Sequence, residues 1–297
     1  MLSKVRKGRR ASDGHSGKLL PMISKPNQTS SVEAVLNYVT QRRERPYMYT
    51  FEPPDGQPSS NIGLDPWTCS IENGRPDVHS FSLEETGFAL LHERSAVKDF
   101  YDPDQVNRVY YPEAERLLMA ATGALRAVVF DHTLRKHVCG AVDRRHTYRQ
   151  PVQLVHVDYS DQSGPRRVRN LYLDHENSAL RSRVQIVNLW RSMRNSLRDA
   201  PLAVCDARSV AASDFVRADL VYPTGPSEVF LFAHNPSHRW YFFPEMDAAE
   251  VLIFKCYDSM QNGCTRFTPH TSFVDPAMPS ESSPRESIEL RVLLIYP

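Results

Sequence analysis

The sequence predicts a mainly β protein with helices in its N-terminal part. Strand-like segments recur from residue 126 to the end of the chain, whereas helical periodicity and capping signals occur before it. Short strands after a helical front part are typical of an antiparallel sandwich or barrel supported by helices. The 297 residues can form one large core and show no internal repeat. We therefore expect a single domain at 31–297, with a helical front part at 31–125 and a β core at 126–297.

The first 30 residues differ in composition from the rest of the chain. Residues 1–25 contain seven Lys and Arg residues against one acidic residue, Asp13, with Gly, Ser and Pro scattered among them. Such a segment has too few apolar residues to bury a core. We expect residues 1–30 to be a flexible basic N-terminal arm.

Helices are expected at several places in the front part. Residues 32–43 carry apolar side chains at 32, 35, 36 and 39, which is the spacing of an amphipathic helix. Ser82 is followed three residues later by Glu85, a capping-box pattern that predicts a second helix. Pro103 marks a third helix start, and residues 112–125 have the pattern of a further amphipathic helix.

The β core is expected to consist of short strands separated by turn residues. Residues 228–233 and 240–243 are expected to form a hairpin around Asn235, and residues 177–183 a short helix. Residues 44–76 are expected to form mainly a loop. The predicted strands are 126–131, 152–158, 184–190, 202–206, 228–233, 240–243, 251–256, 267–273 and 287–295.

Composition excludes several classes of protein. The 36 basic and 35 acidic residues give a net charge of +1, which argues against nucleic acid as the main partner. No apolar run approaches the roughly 18 residues of a membrane span. The five cysteines are odd in number and contain no C-x-x-C pair, which favours a reducing, cytoplasmic location over a disulfide framework.

One motif has the residue types and spacing of a metal site. His156 and Asp158 are two residues apart in a strand-like run, so both side chains point to the same side of the backbone. His270, 112 residues after Asp158, could complete a 2-His-1-carboxylate set. The alternative is a histidine on the polar face of a strand that pairs with a nearby acid.

A second group of polar residues lies in the last predicted strand. Arg285 follows His270 by 15 residues and shares one strand face with Ser287, Glu289 and Arg291. This face could bind an anion, because a planar guanidinium suits a carboxylate, or it could be a salt-bridged face in solvent. Spacing alone leaves both readings open.

Separated runs in a constant order resemble one family of oxygenases. This family of secondary metabolism includes the cephamycin methoxylation subunit, the gibberellin desaturase and the endoperoxide-forming oxygenase of the novofumigatonin pathway. The resemblance covers roughly residues 45–297, outside the basic arm. The runs are 155–159, 185–191, 202–210, 235–244, 252–259, 269–271 and 285–291, with 83–100 and 111–113 upstream.

The resemblance implies a double-stranded β-helix (jelly-roll, cupin-like) core that uses non-haem Fe(II), 2-oxoglutarate and O2. By the resemblance, His156, Asp158 and His270 are the iron ligands and thus the catalytic residues. Arg285, or alternatively Arg291, would anchor 2-oxoglutarate.

The resemblance also suggests residues that line the substrate pocket. Asn188, Trp190 and Arg191 belong to one of the matching runs. Independently of the resemblance, Trp240 lies in a group of aromatic residues that either pack in the core or line a lipophilic substrate cavity. Ser192 stands where relatives are expected to have Pro, which puts the shape of the adjacent loop in doubt.

The implied activity is the oxidation of a natural-product intermediate in secondary metabolite biosynthesis. The reaction would be hydroxylation, desaturation or endoperoxidation of a lipophilic substrate such as a terpenoid or polyketide. The alternative is a catalytically silent partner subunit of an oxygenase complex, and a weaker one is a zinc hydrolase with the same ligands. A homo-oligomer is compatible with the sequence.

Overall fold

The computed structural model describes residues 30–41, 43–138, 140, 148–172, 182–261, 263–279 and 281–297. The expected N-terminal arm and most of the helix expected at 177–183 lie outside these residues. Within them the protein is mainly β, as predicted. No described helix is long and apolar enough to cross a membrane.

The elements have the following bounds. The strands are β1 (Ser31–Val39), β2 (Tyr47–Tyr49), β3 (Leu64–Asn73), β4 (Phe88–His92), β5 (Arg126–Lys136), β6 (His156–Val157), β7 (Val184–Ser192), β8 (Leu202–Cys205), β9 (Phe215–Tyr222), β10 (Gly225–Phe232), β11 (Trp240–Phe242), β12 (Glu250–Asp258), β13 (His270–Ser272) and β14 (Glu286–Ile295). The helices are α1 (Pro103–Gln105), α2 (Tyr111–Thr122) and α3 (Ser163–Tyr172), and a π-helical stretch, Val106–Tyr110, joins α1 to α2.

The strands form two sheets. The larger has the order β1-β3-β11-β8-β13-β6-β10-β9-β2, and the smaller has the order β4-β12-β7-β14-β5. Most neighbours are antiparallel, but β11 runs parallel to β3 and β2 runs parallel to β9.

The smaller sheet is covered on both faces. From β7, Ile186 and Trp190 belong to the core shared with the larger sheet. Val187 and Leu189 instead belong to a second core that contains residues of α2. All residues of β7 and β12 are therefore buried, as expected of strands without a solvent face.

The helix expected at 32–43 is wrong, because β1 occupies this segment. Ala34 and Leu36 are buried, whereas Val35 is 54% exposed, so burial follows a period of two. The helical interpretation counted Val35 as a core residue. β1 pairs along its length with β3, a strand that was expected to be loop.

The helix expected after Ser82 is also wrong. The cap itself forms, since the Glu85 backbone N–H donates to Ser82 Oγ at 3.1 Å. The chain then turns at Gly87, which has a φ of 89°, and continues as β4. The helical front part is thus limited to the segment from Pro103 to Thr122, where helices were predicted and are confirmed.

The hairpin expected around Asn235 does not form. β10 pairs with β9 and β6, whereas β11 pairs with β3 and β8. β9 itself was not predicted. The predicted strands at 126–131, 184–190, 202–206, 251–256 and 287–295 are confirmed by β5, β7, β8, β12 and β14. Those at 152–158 and 267–273 are reduced to the short strands β6 and β13.

Candidate metal centre

Two histidines face each other on neighbouring strands. His156 of β6 and His270 of β13 are directly paired in an antiparallel register, and their ring centroids are 4.3 Å apart. The Nδ1 of each ring lies against the carbonyl two residues earlier: 2.7 Å to Leu154 O for His156 and 3.1 Å to Thr268 O for His270. A carbonyl only accepts, so each Nδ1 carries the proton and each Nε2 lone pair is free for a metal.

Asp158 completes the cluster. One ligand atom from each of His156, Asp158 and His270 lies within 4.8 Å of the others, and no second such group occurs in the described part of the chain. Asp158 Oδ1 is 3.6 Å from His156 Nε2. Asp158 Oδ2 accepts from Arg291 Nε at 2.8 Å and from Asn188 Nδ2 at 3.0 Å. The second carboxylate oxygen is thus occupied, and Oδ1 remains available.

The charge states suit metal binding. Burial, together with the neighbouring His270, lowers the pKa of His156 to about 4, and burial also lowers the pKa of His270. Burial alone would raise the pKa of Asp158, but the charge of Arg291, with the hydrogen bond from Asn188, holds it well below its usual range. Two neutral imidazoles and one carboxylate are the donor set of non-haem Fe(II) sites with open coordination positions.

A pocket adjoins the two histidines. Its lining residues are Arg135, Val152, His156, Leu202, His270, Thr271, Ser272, Arg285 and Glu289. The cluster therefore has a cavity beside it that contains both cationic and hydroxyl groups.

Arg285 is the buried cation of this pocket. Its Nη1 donates to Ala200 O at 2.7 Å and its Nε to Ser287 Oγ at 3.1 Å. No described carboxylate forms an ion pair with it, and its guanidinium lies 5.1 Å above the Trp190 ring. Burial, with Arg135 nearby, lowers the pKa of Arg285 to about 9, the direction expected of a buried cation that no carboxylate neutralises directly.

Two further polar atoms at this place lack partners. Trp190 Nε1 and Ser272 Oγ are buried and form no hydrogen bond. Ser272 lines the pocket, and the Trp190 ring lies under Arg285. Buried polar groups are normally hydrogen-bonded, so unsatisfied donors beside a buried cation fit a carboxylate ligand.

The turn before β8 holds Arg285 in place. The backbone N–H of Arg285 donates to Asp199 Oδ2 at 2.7 Å, and the same oxygen lies 2.7 Å from His137 Nδ1. Ala200, whose carbonyl accepts from Arg285, has a φ of 44°, which is unusual for a residue with a side chain.

The structure separates the residues predicted for the pocket. Asn188 contacts Asp158, and Trp190 lies beside Arg285. Arg191, contrary to expectation, lies on the opposite face of β7, where its Nε donates to Tyr110 OH at 3.0 Å and its Nη1 to the carbonyls of Glu93 and Ala248. Residue 191 has the opposite parity to 188 and 190 in a strand.

Trp240 is buried away from the pocket lining. Its Nε1 donates to Tyr38 OH at 2.8 Å, and it packs in the core between the sheets. Arg135 and Ser272 line the pocket but were not predicted. Ser272 could have been found, because it is two residues from His270 in the same strand and shares its face.

Comparison with protein families gives one match over most of the chain. The model described as "Oxidoreductase/YMDC permease-like domain" matches residues 36–295.

Curated relatives have similar lengths and related names. The chain is 30% identical over 234 residues to the alpha-ketoglutarate-dependent dioxygenase phiK of a fungal species, covering 76% of this chain and 84% of the relative. It is 31% identical over 291 residues to the hydroxylase/desaturase CTB9 of Cercospora beticola, covering 85% and 88%.

A solved structure has a similar fold. The iron and alpha-ketoglutarate-dependent endoperoxidase NvfI superposes with a TM-score of 0.81 at 26% sequence identity, covering 91% of this chain and 99% of that one. The sequence of the corresponding Fe(II)/2-oxoglutarate-dependent dioxygenase nvfI of Aspergillus novofumigatus is 27% identical over 259 residues, covering 83% of this chain and 89% of the relative.

Proposed function

This chain belongs to the Fe(II)/2-oxoglutarate-dependent dioxygenase family, and from that premise we propose that His156, Asp158 and His270 hold its iron. It is an oxidoreductase whose cofactors are Fe(II), 2-oxoglutarate and O2. The proposal for the ligands is carried by one observation: three ligand atoms lie within 4.8 Å of one another, with both imidazole Nε2 atoms free.

The residues around the ligands fix the geometry of the site. Arg291 and Asn188 occupy Asp158 Oδ2, so Asp158 offers iron a single oxygen. The backbone carbonyls behind both imidazoles hold the rings in the tautomer that presents Nε2. When bound, iron with 2-oxoglutarate supplies the O2 activation by which this class of enzyme oxidises C–H bonds.

Arg285 is the proposed anchor for the distal carboxylate of 2-oxoglutarate. It lines the pocket next to the histidines, and its Nη2 donates no hydrogen bond within the described residues. Arg291, the alternative, is engaged by Asp158, Asp131, Thr133 and Glu289. Ser272 Oγ and Trp190 Nε1 are the proposed additional donors to the carboxylate, because both are buried without a partner.

The substrate is proposed to be a lipophilic small molecule of secondary metabolism, of terpenoid or polyketide type. The names of the relatives include hydroxylase/desaturase and endoperoxidase, which supports hydroxylation, desaturation or endoperoxidation as the reaction. The complete ligand set argues against the alternative of a catalytically silent partner subunit.

Finer features of the molecule remain part of the proposal. The two facing sheets with a shared core support a double-stranded β-helix (jelly roll), and the continuity of that core from β1 to β14 supports a single domain over 31–297. The four described cysteines are free, which supports a cytoplasmic location. A homo-oligomer stays a proposal as well.

Iron and succinate measurements test the function. Protein purified without oxygen is loaded with Fe(II) and 2-oxoglutarate, exposed to O2, and assayed for bound iron and succinate. We expect His156→Ala to lose both, whereas His79→Ala, a change of an exposed histidine, retains them. Stoichiometric iron and undiminished succinate in the His156→Ala variant would overturn the assignment.

A further inference from the structure

Arg167 lies on the helix that follows the His156–Asp158 segment, and its side chain contacts the smaller sheet. It belongs to α3, which begins five residues after Asp158. Its guanidinium carbon is 4.7 Å from the centre of the Phe130 ring. Phe130 belongs to β5, a strand at one edge of the smaller sheet. The side chain therefore bridges from the helix that follows β6 to the free edge of the opposite sheet.

The guanidinium of Arg167 has no counter-ion in the described structure. No carboxylate forms an ion pair with it, and its Nε atom is buried without a hydrogen-bond partner. Its neighbour Arg166, which is exposed, donates from Nη2 to Pro226 O at 3.0 Å. Withdrawing part of a cation from water is unfavourable unless hydrogen bonds replace the lost ones, and stacking on a ring offsets only part of this cost. Arg167 can therefore still donate hydrogen bonds to an anionic ligand.

Two sets of neighbouring residues connect Arg167 to the cluster of His156, Asp158 and His270. Phe130 precedes Asp131, which accepts from Arg291 Nη1 at 3.1 Å, and Arg291 in turn holds Asp158. On the other side, Tyr159 directly follows Asp158. Tyr159 is buried in the core cluster that also contains Val168, the residue after Arg167, and Phe130 packs against this cluster.

Arg167 is separate from the proposed 2-oxoglutarate pocket. The pocket contains the cations Arg135 and Arg285, but not Arg167. Arg167 is therefore available to bind a second acidic ligand while Arg285 binds the co-substrate.

We propose that Arg167, stacked on Phe130, binds an anionic oxygen, a carboxylate or an enolate, on the lipophilic substrate and so orients that substrate toward the metal. This inference rests on the proposed function. A planar guanidinium held against an aromatic ring presents its N–H edge in a fixed direction, which suits a carboxylate better than a mobile ammonium does. The half-buried Phe130 ring provides apolar surface for the carbon skeleton next to the charged group.

Matched pairs of ligands test the proposal. The probes are a diterpene carboxylic acid and an aromatic polyketide acid, each with its methyl ester. Binding is measured by calorimetry on anaerobic protein that is loaded with Fe(II) and saturated with 2-oxoglutarate. Saturation keeps the acids from binding at Arg285, and the absence of O2 prevents turnover.

We expect at least one acid to bind about 10- to 100-fold more tightly than its ester, the range for a charge-assisted hydrogen bond. Arg167→Gln should abolish this preference and Arg167→Lys should keep part of it. Arg166→Gln, the same charge change one residue away, should leave it intact. The proposal is overturned if no acid is preferred by the unaltered protein, or if Arg167→Gln leaves the preference unchanged.

The same samples separate this inference from the proposed function. Iron content and 2-oxoglutarate affinity are measured in each variant. If the unaltered protein does not bind 2-oxoglutarate with iron, the proposed function fails. If it does and the acids are not preferred, only the role of Arg167 fails.

Discussion

Arg291 Nε lies 2.8 Å from Asp158 Oδ2, although the two residues are 133 positions apart in the chain. The contact joins the last strand of the smaller sheet to the short segment of the larger sheet that carries His156 and Asp158. It leaves Asp158 with one oxygen for a metal and supplies a positive charge that keeps the carboxylate ionised.

Arg291→Lys is expected to weaken Fe(II) affinity by about 10- to 100-fold, the usual effect of losing a residue that orients a metal ligand. Lysine keeps the charge but cannot hold Asp158 and Asp131 with the same planar group. Affinity is measured by competition with a chelator. Arg198→Gln, a change in a half-exposed arginine paired with Glu245, serves as the control and should leave affinity unaltered. Equal affinity in Arg291→Lys and the unaltered protein would contradict the positioning role.

Arg285→Gln is expected to raise the KM for 2-oxoglutarate by about 100-fold while iron remains bound, because a buried charge-assisted pair contributes on the order of 2–3 kcal/mol. The KM is measured from steady-state succinate formation at varied 2-oxoglutarate concentrations. The control is Arg194→Gln, which removes a half-exposed arginine near the same strand end. Should Arg285→Gln leave KM unchanged, the anchor must lie elsewhere.

Arg191→Met is expected to lower the free energy of unfolding by about 1–3 kcal/mol and to leave 2-oxoglutarate affinity unchanged. The side chain holds Tyr110 and two loop carbonyls on the helix-covered face of β7, away from the pocket. Denaturant unfolding and ligand titration measure the two quantities. A selective loss of 2-oxoglutarate affinity with normal stability would instead show that Arg191 contributes to the pocket.

Asp258→Asn is expected to destabilise the protein by about 2–4 kcal/mol at pH 7, because it leaves the fully buried Lys255 and the partly buried Arg183 with only the half-exposed Glu84 as a shared carboxylate. Burial would raise the pKa of Asp258, but Arg183 and Lys255 lower it below its unfolded value. The stabilisation is therefore present above the unfolded pKa, near 3.9, and is lost as pH falls through the folded value.

Denaturant unfolding at pH 7 and pH 3 tests the Asp258 prediction. The difference between Asp258→Asn and the unaltered protein should be smaller at pH 3. Asp275→Asn, a change of an aspartate outside this charge cluster, is the control. A difference that does not change with pH would show that the carboxylate charge is not the cause.

Two residues of the candidate metal site could be predicted because they are close together in the sequence. His156 and Asp158 are two residues apart, and a period of two determines a shared face whatever the rest of the fold does. Arg285 is proposed through the family resemblance, because its spacing to His270 leaves a salt-bridged face equally open. The choice between Arg285 and Arg291 could not be made, because the two residues have the same parity in the last predicted strand and only their partners in the folded protein distinguish them.

The fold of the N-terminal part could not be predicted for a physical reason. Val32, Val35, Leu36 and Val39 satisfy the helical spacing, while Val32, Ala34, Leu36 and Tyr38 satisfy alternation equally well. Pairing with β3, about 30 residues away, decides the outcome. β11 likewise joins β3 and β8 rather than its nearest strand, and no local pattern encodes such distant pairing.

The direct pairing of His156 with His270 has a consequence for the order of folding and metal binding. On the proposed ligand assignment, the segment of β6 and Asp158 supplies two ligands, whereas the third ligand and Arg291 come from β13 and β14. Iron binding by the full set therefore requires β13 and β14 to have paired with the rest of the fold. A metal bound there would stabilise the folded state in which both strands are paired.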